Sequence, residues 1–458
     1  MAIAGDWGER LAMARRNLAW VLGILGVTVL AFAVGQSAPT RDRDRDYELV
    51  RLVVDVLQEV RTRYVRELSP DEQRRLVETM VNGGLERLDP HSAFINPEEY
   101  KQFSRQTKGI FGGVGLSLGV DPQKGNVLTV VSPIVGTPAH EAGILAGDII
   151  LKVDGKSTET LGMNESIDAI QGEPGTPVTL TILHEGEKDP VDITVKRAVV
   201  KVPSVLGDRR LPDGSWDYMI DKERMIGYIR LSTFSETAPS EMKEALTTLN
   251  QQGMTGLILD LRGNPGGLIR AAVEIADMFL DQGRIVSTKG RVAQEEVFEA
   301  TGPGTILQPA REHPITVIIN RYSASASEIL AAALQDHARA VVVGERSFGK
   351  GSVQNVIEME SRASALKLTT ASYWRPSGKN IHRFPDSKET DDWGVSPDKG
   401  HAVKLEDKER INYLRWRNDR DVVRKADQPA RKPVLPDFKD TVLEKALETT
   451  RAKLQAHG

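Results

Sequence analysis

The first apolar feature of the chain runs from Leu18 to Val34, behind Arg10, Arg15 and Arg16. A positive flank before an apolar run is the pattern of an export signal. The run has 17 residues, longer than an ordinary signal core and just enough to span a bilayer. It predicts a retained membrane anchor at residues 18–34, with cleavage after Ala31-Phe32-Ala33 as the alternative. Either way, the positive-inside rule places the rest of the chain in the periplasm or another extracytoplasmic space. The charged run Arg41 to Asp46 reads as a solvated spacer.

From Tyr47 to Glu86 the pattern is helical, with Val50, Val53, Val54, Val56 and Leu57 recurring at helical spacing. Ser69-Pro70 predicts an N-cap and a first helical position. From Gly109 to Arg197 short β-like runs alternate with Gly and Pro, predicting a small β-rich module. From about Val202 to Lys404 buried strands alternate with helices. Gly256 to Leu261 leads into a helix at Gly267 to Leu280, Ile315 to Ile319 into a helix at Ser327 to Asp336, and Ala340 to Val343 follows. Such alternation predicts an α/β core with a mixed, mainly parallel sheet. After Leu405 the chain is charged and helical, split into two helices by Pro429, Pro433 and Pro436. The expected divisions are a signal or anchor and spacer at 1–46, a helical region at 47–105, the β-rich module at 106–198, the α/β core at 199–405 and a helical tail at 406–458.

Composition narrows the chemistry. Of 458 residues, 40% are hydrophobic and 27% charged, which suits globular folding. The formal net charge is -4, so nothing in it favours nucleic acid as a partner. Cysteine is absent, which excludes disulfides, thiol catalysis and cysteine-ligated metals.

The segment Ile315 to Leu330, ITVIINRYSASASEIL, carries a buried strand through a turn of small residues into a helix. That geometry lifts a side chain beside a helix N-terminus, whose free amides favour developing negative charge. Ser323, Ser325 and Ser327 all occupy it, and capping would explain any of them. A serine nucleophile needs a base. None of the eight histidines sits in a setting that suggests a triad. Lys350 is better placed, between Gly349 and Gly351 at the end of the next buried strand. Burial would lower its pKa toward the range where a neutral amine accepts a proton, and Phe348 with the glycine backbone is the expected source of that packing.

The pair SASASE and FGKGSVQ resembles the C-terminal processing (tail-specific) serine peptidases, a family with an inserted PDZ domain. The resemblance implies a crotonase- or ClpP-like core. It also implies that Ser325 is the nucleophile, that Lys350, 25 positions on, is the base, and that Gln354 orients the lysine. The glycine-rich segment Asp260 to Gly267 looks like the family's oxyanion turn, so that Gly266 or Gly267 would join Ala326 in binding an oxyanion. In the β-rich module, Gly113, Val114, Gly115 and Leu116 resemble the carboxylate-binding loop of a PDZ domain, which takes a peptide as an added strand. No metal or organic cofactor is implied. The implied activity is cleavage of exported proteins at their C-terminal regions through an acyl-enzyme. Expected partners are peptides with accessible C-termini, the membrane, a second copy through the helical flanks, and an adaptor protein. Gln171 stands where some members carry a regulatory arginine. The competing reading is a non-catalytic PDZ scaffold, which loss of a dyad member would favour, and none is lost.

Overall fold

The computed structural model describes residues 40–108, 110–121, 127–292, 294–302, 313–422 and 435–457. The expected anchor at 18–34, with Pro429 and Pro433, lies outside them. Among the described residues no helix is long and apolar enough to cross a membrane. The chain divides into two units, Met1–Val81 and Asn82–Gly458.

In the first unit a helix covers Thr40–Arg63 and a second begins at Pro70. Ser69 and Glu72 form a reciprocal cap there, Ser69 N donating to Glu72 Oε2 at 2.9 Å and Glu72 N to Ser69 Oγ at 3.3 Å. The charged run 41–46 is helical. It holds no Gly or Pro, and arginine is a good helix former.

The second unit is built on a sheet in the order Val205–Leu206, Ile226–Leu231, Gly256–Asp260, Ile315–Ile319, Ala340–Gly344, with Met219–Asp221 beside Ile226–Leu231. The four long strands run parallel to one another. Their near-continuous apolar composition follows from burial on both faces. On one face Leu257, Leu259, Val317 and Val342 pack with helices Ala238–Gln251, Ile269–Asp277 and Ala326–Asp336. On the other, Ile258, Ile318 and Val343 pack against Val442, Leu443 and Ala446 of helix Thr441–His457. The C-terminal tail is therefore the second cover of the sheet. Burying each such Val or Leu side chain stabilises the fold by roughly 1.5–3 kcal/mol.

A further sheet is entirely antiparallel. It joins Ala93–Ile95, Ser364–Trp374, Arg284–Gly290 and Glu296–Glu299, with Ser352–Met359 paired to Ser364–Trp374. Among the described residues the α/β core thus holds one mixed sheet, whose four long strands are parallel, and one antiparallel sheet.

The β-rich module has its own core of Val114, Val130, Ile144, Ile150, Leu180 and Ile182. Its sheet runs Leu116–Asp121, Val127–Pro133, Ile149–Val153, Pro177–Leu183, Val191–Lys196, which leaves Leu116–Asp121 at an edge. The chain enters and leaves the module through a two-stranded antiparallel ribbon, Ile110–Gly113 against Ala198–Lys201.

Candidate active site

Three neighbouring parallel strands carry the three motifs at their carboxyl ends. Gly256–Asp260 leads to the glycine-rich turn, Ile315–Ile319 to the serine-rich turn and Ala340–Gly344 to the lysine loop. Parallel pairing brings these ends to one edge of the sheet.

Ser325 caps helix Ala326–Asp336 with φ 55° and ψ -114°, in the left-handed half of conformational space that a non-glycine residue occupies only under constraint. The three serines are not equivalent. Ser323 Oγ donates to Leu261 O at 2.8 Å and Ser327 Oγ to Asn264 O at 3.0 Å, tying the serine turn to the glycine-rich turn. Ser325 faces the buried phenol of Tyr373 instead. Burial pushes that phenol up to about 12, and the serine works in the opposite direction.

The glycine-rich turn lies against the serine. A Cβ on Gly266 would come within 2.8 Å of Ser325 Cβ and 2.9 Å of the Ala326 nitrogen. Gly266 N already donates to Asn264 Oδ1 at 2.8 Å. Among the described residues, the amides of Gly267 and Ala326 have no acceptor. The pair that sequence alone left as Gly266 or Gly267 is thereby unequal.

Lys350 is largely buried. Burial lowers its ammonium pKa, the like charge of Lys367 lowers it further, and Glu328 opposes both. Phe348 is half exposed. The flanking glycines let other groups approach the loop closely. Arg383 and Trp393 press on Gly349, and His382 on Gly351, where a Cβ would meet atoms at 2.9 Å or less.

Gln354 is not bonded to Lys350. Its Nε2 donates to Ser352 Oγ at 2.8 Å and to Thr369 Oγ1 at 3.2 Å. A register shift between Val353 and Gln354 turns the side chain this way. Thr369 Oγ1 in turn donates to Asp89 Oδ1 at 3.1 Å, and Asp89 orders the turn of His91 and Ser92 through their amides at 2.7 and 2.9 Å. Among the described residues, no hydrogen bond joins Lys350 to Ser325. A cleft of about 1380 Å³, lined by His91, Phe348, His382, Phe384 and Trp393 among others, opens beside the lysine loop.

Sequence reasoning missed Glu328. It is fully buried and accepts the amides of Ser325 and Lys350 at 2.8 Å, and the Gly349 amide and Ser347 hydroxyl at 2.6 Å. Burial raises its carboxyl to about 7 against those four donors. The available signal was Ser325-x-x-Glu328, the spacing of a capping box.

In the β-rich module, Gly113 ends the entry ribbon and Leu116 begins the edge strand. Val114 O accepts the Ala139 amide at 2.9 Å and Gly115 O the Ile134 amide at 2.9 Å. Gly115 has φ +85°, and a Cβ there would meet Thr137 at 2.3 Å. After Gln171, the Gly172 amide reaches Gly112 O at 3.2 Å. Arg197 caps the preceding helix, donating to Ala169 O at 2.7 Å and Ile170 O at 2.9 Å.

Residues 225–399 match Peptidase family S41, and residues 129–183 match a PDZ domain. The carboxy-terminal-processing protease of Bartonella bacilliformis is 38% identical over 424 residues, covering 89% of this chain and 90% of that protein. The chain belongs to the carboxy-terminal-processing protease family. It is a serine-type peptidase with a PDZ domain. Other carboxy-terminal-processing proteases are comparably similar. That of Synechocystis sp. is 37% identical over 340 residues, 74% of either chain. A solved photosystem II D1 C-terminal processing protease is 31% identical, covers 77% of this chain and 86% of its own, and has a TM-score of 0.41.

Proposed function

We propose that the chain cleaves peptide bonds through an acyl-enzyme on Ser325, with Lys350 as base. The observation that carries this reading is the Ser325 conformation: a strained helix cap that keeps its hydroxyl out of the bonds made by Ser323 and Ser327. Neutral Lys350 takes the Ser325 proton as Oγ attacks the carbonyl carbon. The oxyanion is held by the amides of Gly267 and Ala326. Lys350 then passes its proton to the leaving amine, and water releases the acyl group. Gln354 orients Lys350 once it leaves Ser352 and Thr369, so an alignment step precedes turnover. No cofactor takes part.

Substrates are exported proteins with accessible C-termini. The PDZ domain captures them by adding a strand at the open edge Leu116–Asp121, with Gly113, Val114, Gly115 and Leu116 around the terminal carboxylate. The core is of the crotonase or ClpP kind. Residues 18–34 anchor the chain to the membrane, with the protease on the extracytoplasmic side. The helical flanks support a homodimer, and an adaptor protein completes the assembly. The exposed Leu49, Val50, Leu52 and Val53 of the first helix suit such contacts.

The test uses the full chain on a denatured protein substrate. Ser325→Ala and Lys350→Ala are each expected to abolish degradation, and undiminished degradation by either would reject the dyad. Peptide binding with no turnover by the unaltered chain would favour the scaffold reading.

A further inference from the structure

The glycine-rich turn is held from outside the core by the C-terminal tail. Arg262, inside that turn, is buried. Its Nε donates to both oxygens of Asp260 at 3.0 Å, and Nη2 donates to Asp260 Oδ2 at 2.6 Å. On the other side Nη1 and Nη2 donate to Asp440 Oδ1 and Oδ2 at 3.0 and 2.9 Å. The ring of Tyr413 lies 4.3 Å from the guanidinium carbon. Asp260 ends a core strand and is itself fixed by the Tyr228 hydroxyl at 2.7 Å. Asp440 and Tyr413 belong to the tail: Asp440 Oδ1 accepts the Leu443 amide at 3.1 Å at the start of the last helix, and Tyr413 lies on helix Asp407–Asp421.

Buried ion triads are weak sources of stability, since apolar side chains of equal volume often serve as well. What a planar guanidinium gripped on two edges does provide is orientation. The neighbours of Arg262 are the groups that fix the nucleophile's turn. Leu261 O accepts Ser323 Oγ at 2.8 Å, Gly263 N donates to Asn320 Oδ1 at 3.0 Å, and Asn264 O accepts the Ala324 amide at 3.1 Å.

We propose that Asp440 is a positioning residue for catalysis: acting through Arg262, it holds the turn 261–267 so that Ser325 keeps its raised conformation and the Gly267 amide stays directed at the reacting carbonyl. This rests on the assignment of Ser325 as nucleophile. The tail is then part of the catalytic scaffold, and its charged residue 440 bears on rate rather than on substrate affinity.

The experiment uses the full chain, with steady-state cleavage of an internally quenched peptide and the rate of Ser325 labelling by a fluorophosphonate. Asp440→Ser keeps an oxygen able to cap the last helix but cannot span the guanidinium. It is expected to lower kcat and the labelling rate about tenfold or more, with KM within about twofold, as misplacement of reacting groups does. Asp440→Glu, which keeps the charge, should recover part of the loss. Should Asp440→Ser fail to fold, Asp440→Asn is read in the same way. Arg451→Gln is the control. It cuts a second tie of the same helix, to Asp221 at 2.7 Å, and should lower Tm while leaving kcat within about twofold. Cleavage by Ser325→Ala would mean that the nucleophile assignment is what fails. An inert Ser325→Ala beside a folded Asp440 variant of unaltered kcat and labelling rate would overturn the proposal. So would an Arg451→Gln loss of kcat equal to that of Asp440→Ser.

Discussion

Glu328 Oε2 accepts the backbone amide of Lys350 at 2.8 Å and, through the same oxygen, the amide of Ser325 at 2.8 Å. One buried carboxylate therefore joins the Lys350 loop to the Ser325 turn. Glu328→Gln replaces an acceptor with a group that also donates, in a pocket of four donors. Breaking that join is expected to lower kcat about tenfold to a hundredfold, measured on the peptide substrate.

The same residue has a pH signature. Burial holds its folded carboxyl near 7, against an ordinary value of 4.5. Between those values the folded chain binds a proton that the unfolded chain has released, so this group's contribution to stability falls as pH rises through about 7. Tm measured from pH 5 to 8 should decline less steeply in Glu328→Gln than in the unaltered chain.

Lys367 supplies the second cause of the lowered Lys350 pKa, after burial. Lys367→Gln removes a like charge, so the ammonium of Lys350 holds its proton to higher pH. The ascending limb of the kcat/KM profile should move to higher pH. A profile that stays in place would mean that Lys350 is not the group being titrated.

Gly266→Ala places a methyl group 2.7 Å from Ala324 O and 2.8 Å from Ser325 Cβ, at φ +100°. Both the clash and the backbone conformation oppose it, at a cost of order 1–3 kcal/mol for the conformation alone. The expected outcome is a lower Tm and loss of fluorophosphonate labelling at Ser325.

Gly115→Ala acts elsewhere. Its methyl group would meet Thr137 at 2.3 Å, at φ +85°. The PDZ loop should lose its peptide, seen as loss of peptide binding by fluorescence anisotropy. The labelling rate of Ser325 should stay within about twofold, since the strands that lead to Ser325 and Lys350 are untouched.

The three motif strands were legible in the sequence because strands buried on both faces must be apolar throughout, and each one stops at a polar or glycine-rich turn. The hairpin that carries Gln354 was not. Residues 355–359 of its first strand are exposed, so no core face imprinted a period on them. The direction of Gln354 depends on a local register shift, which composition does not encode. The difference between the Gly266 and Gly267 amides comes from one side chain, Asn264, which consumes the first of them. The partnership of Arg262 and Asp440 spans 178 positions, and a charge in a glycine turn reads as solvated until the tail is seen to cover it.

The ribbon Ile110–Gly113 against Ala198–Lys201 sets the two ends of the PDZ insertion side by side. A segment whose ends already touch is topologically a detachable cartridge. It can be lifted out and the gap closed without rethreading the host, or exchanged for any other module with adjacent ends. Gly113, the last residue of the incoming ribbon strand, is also the first of the proposed peptide loop. The socket and the reader are thus one piece of backbone, and a ligand held there pulls directly on the seam between cartridge and host.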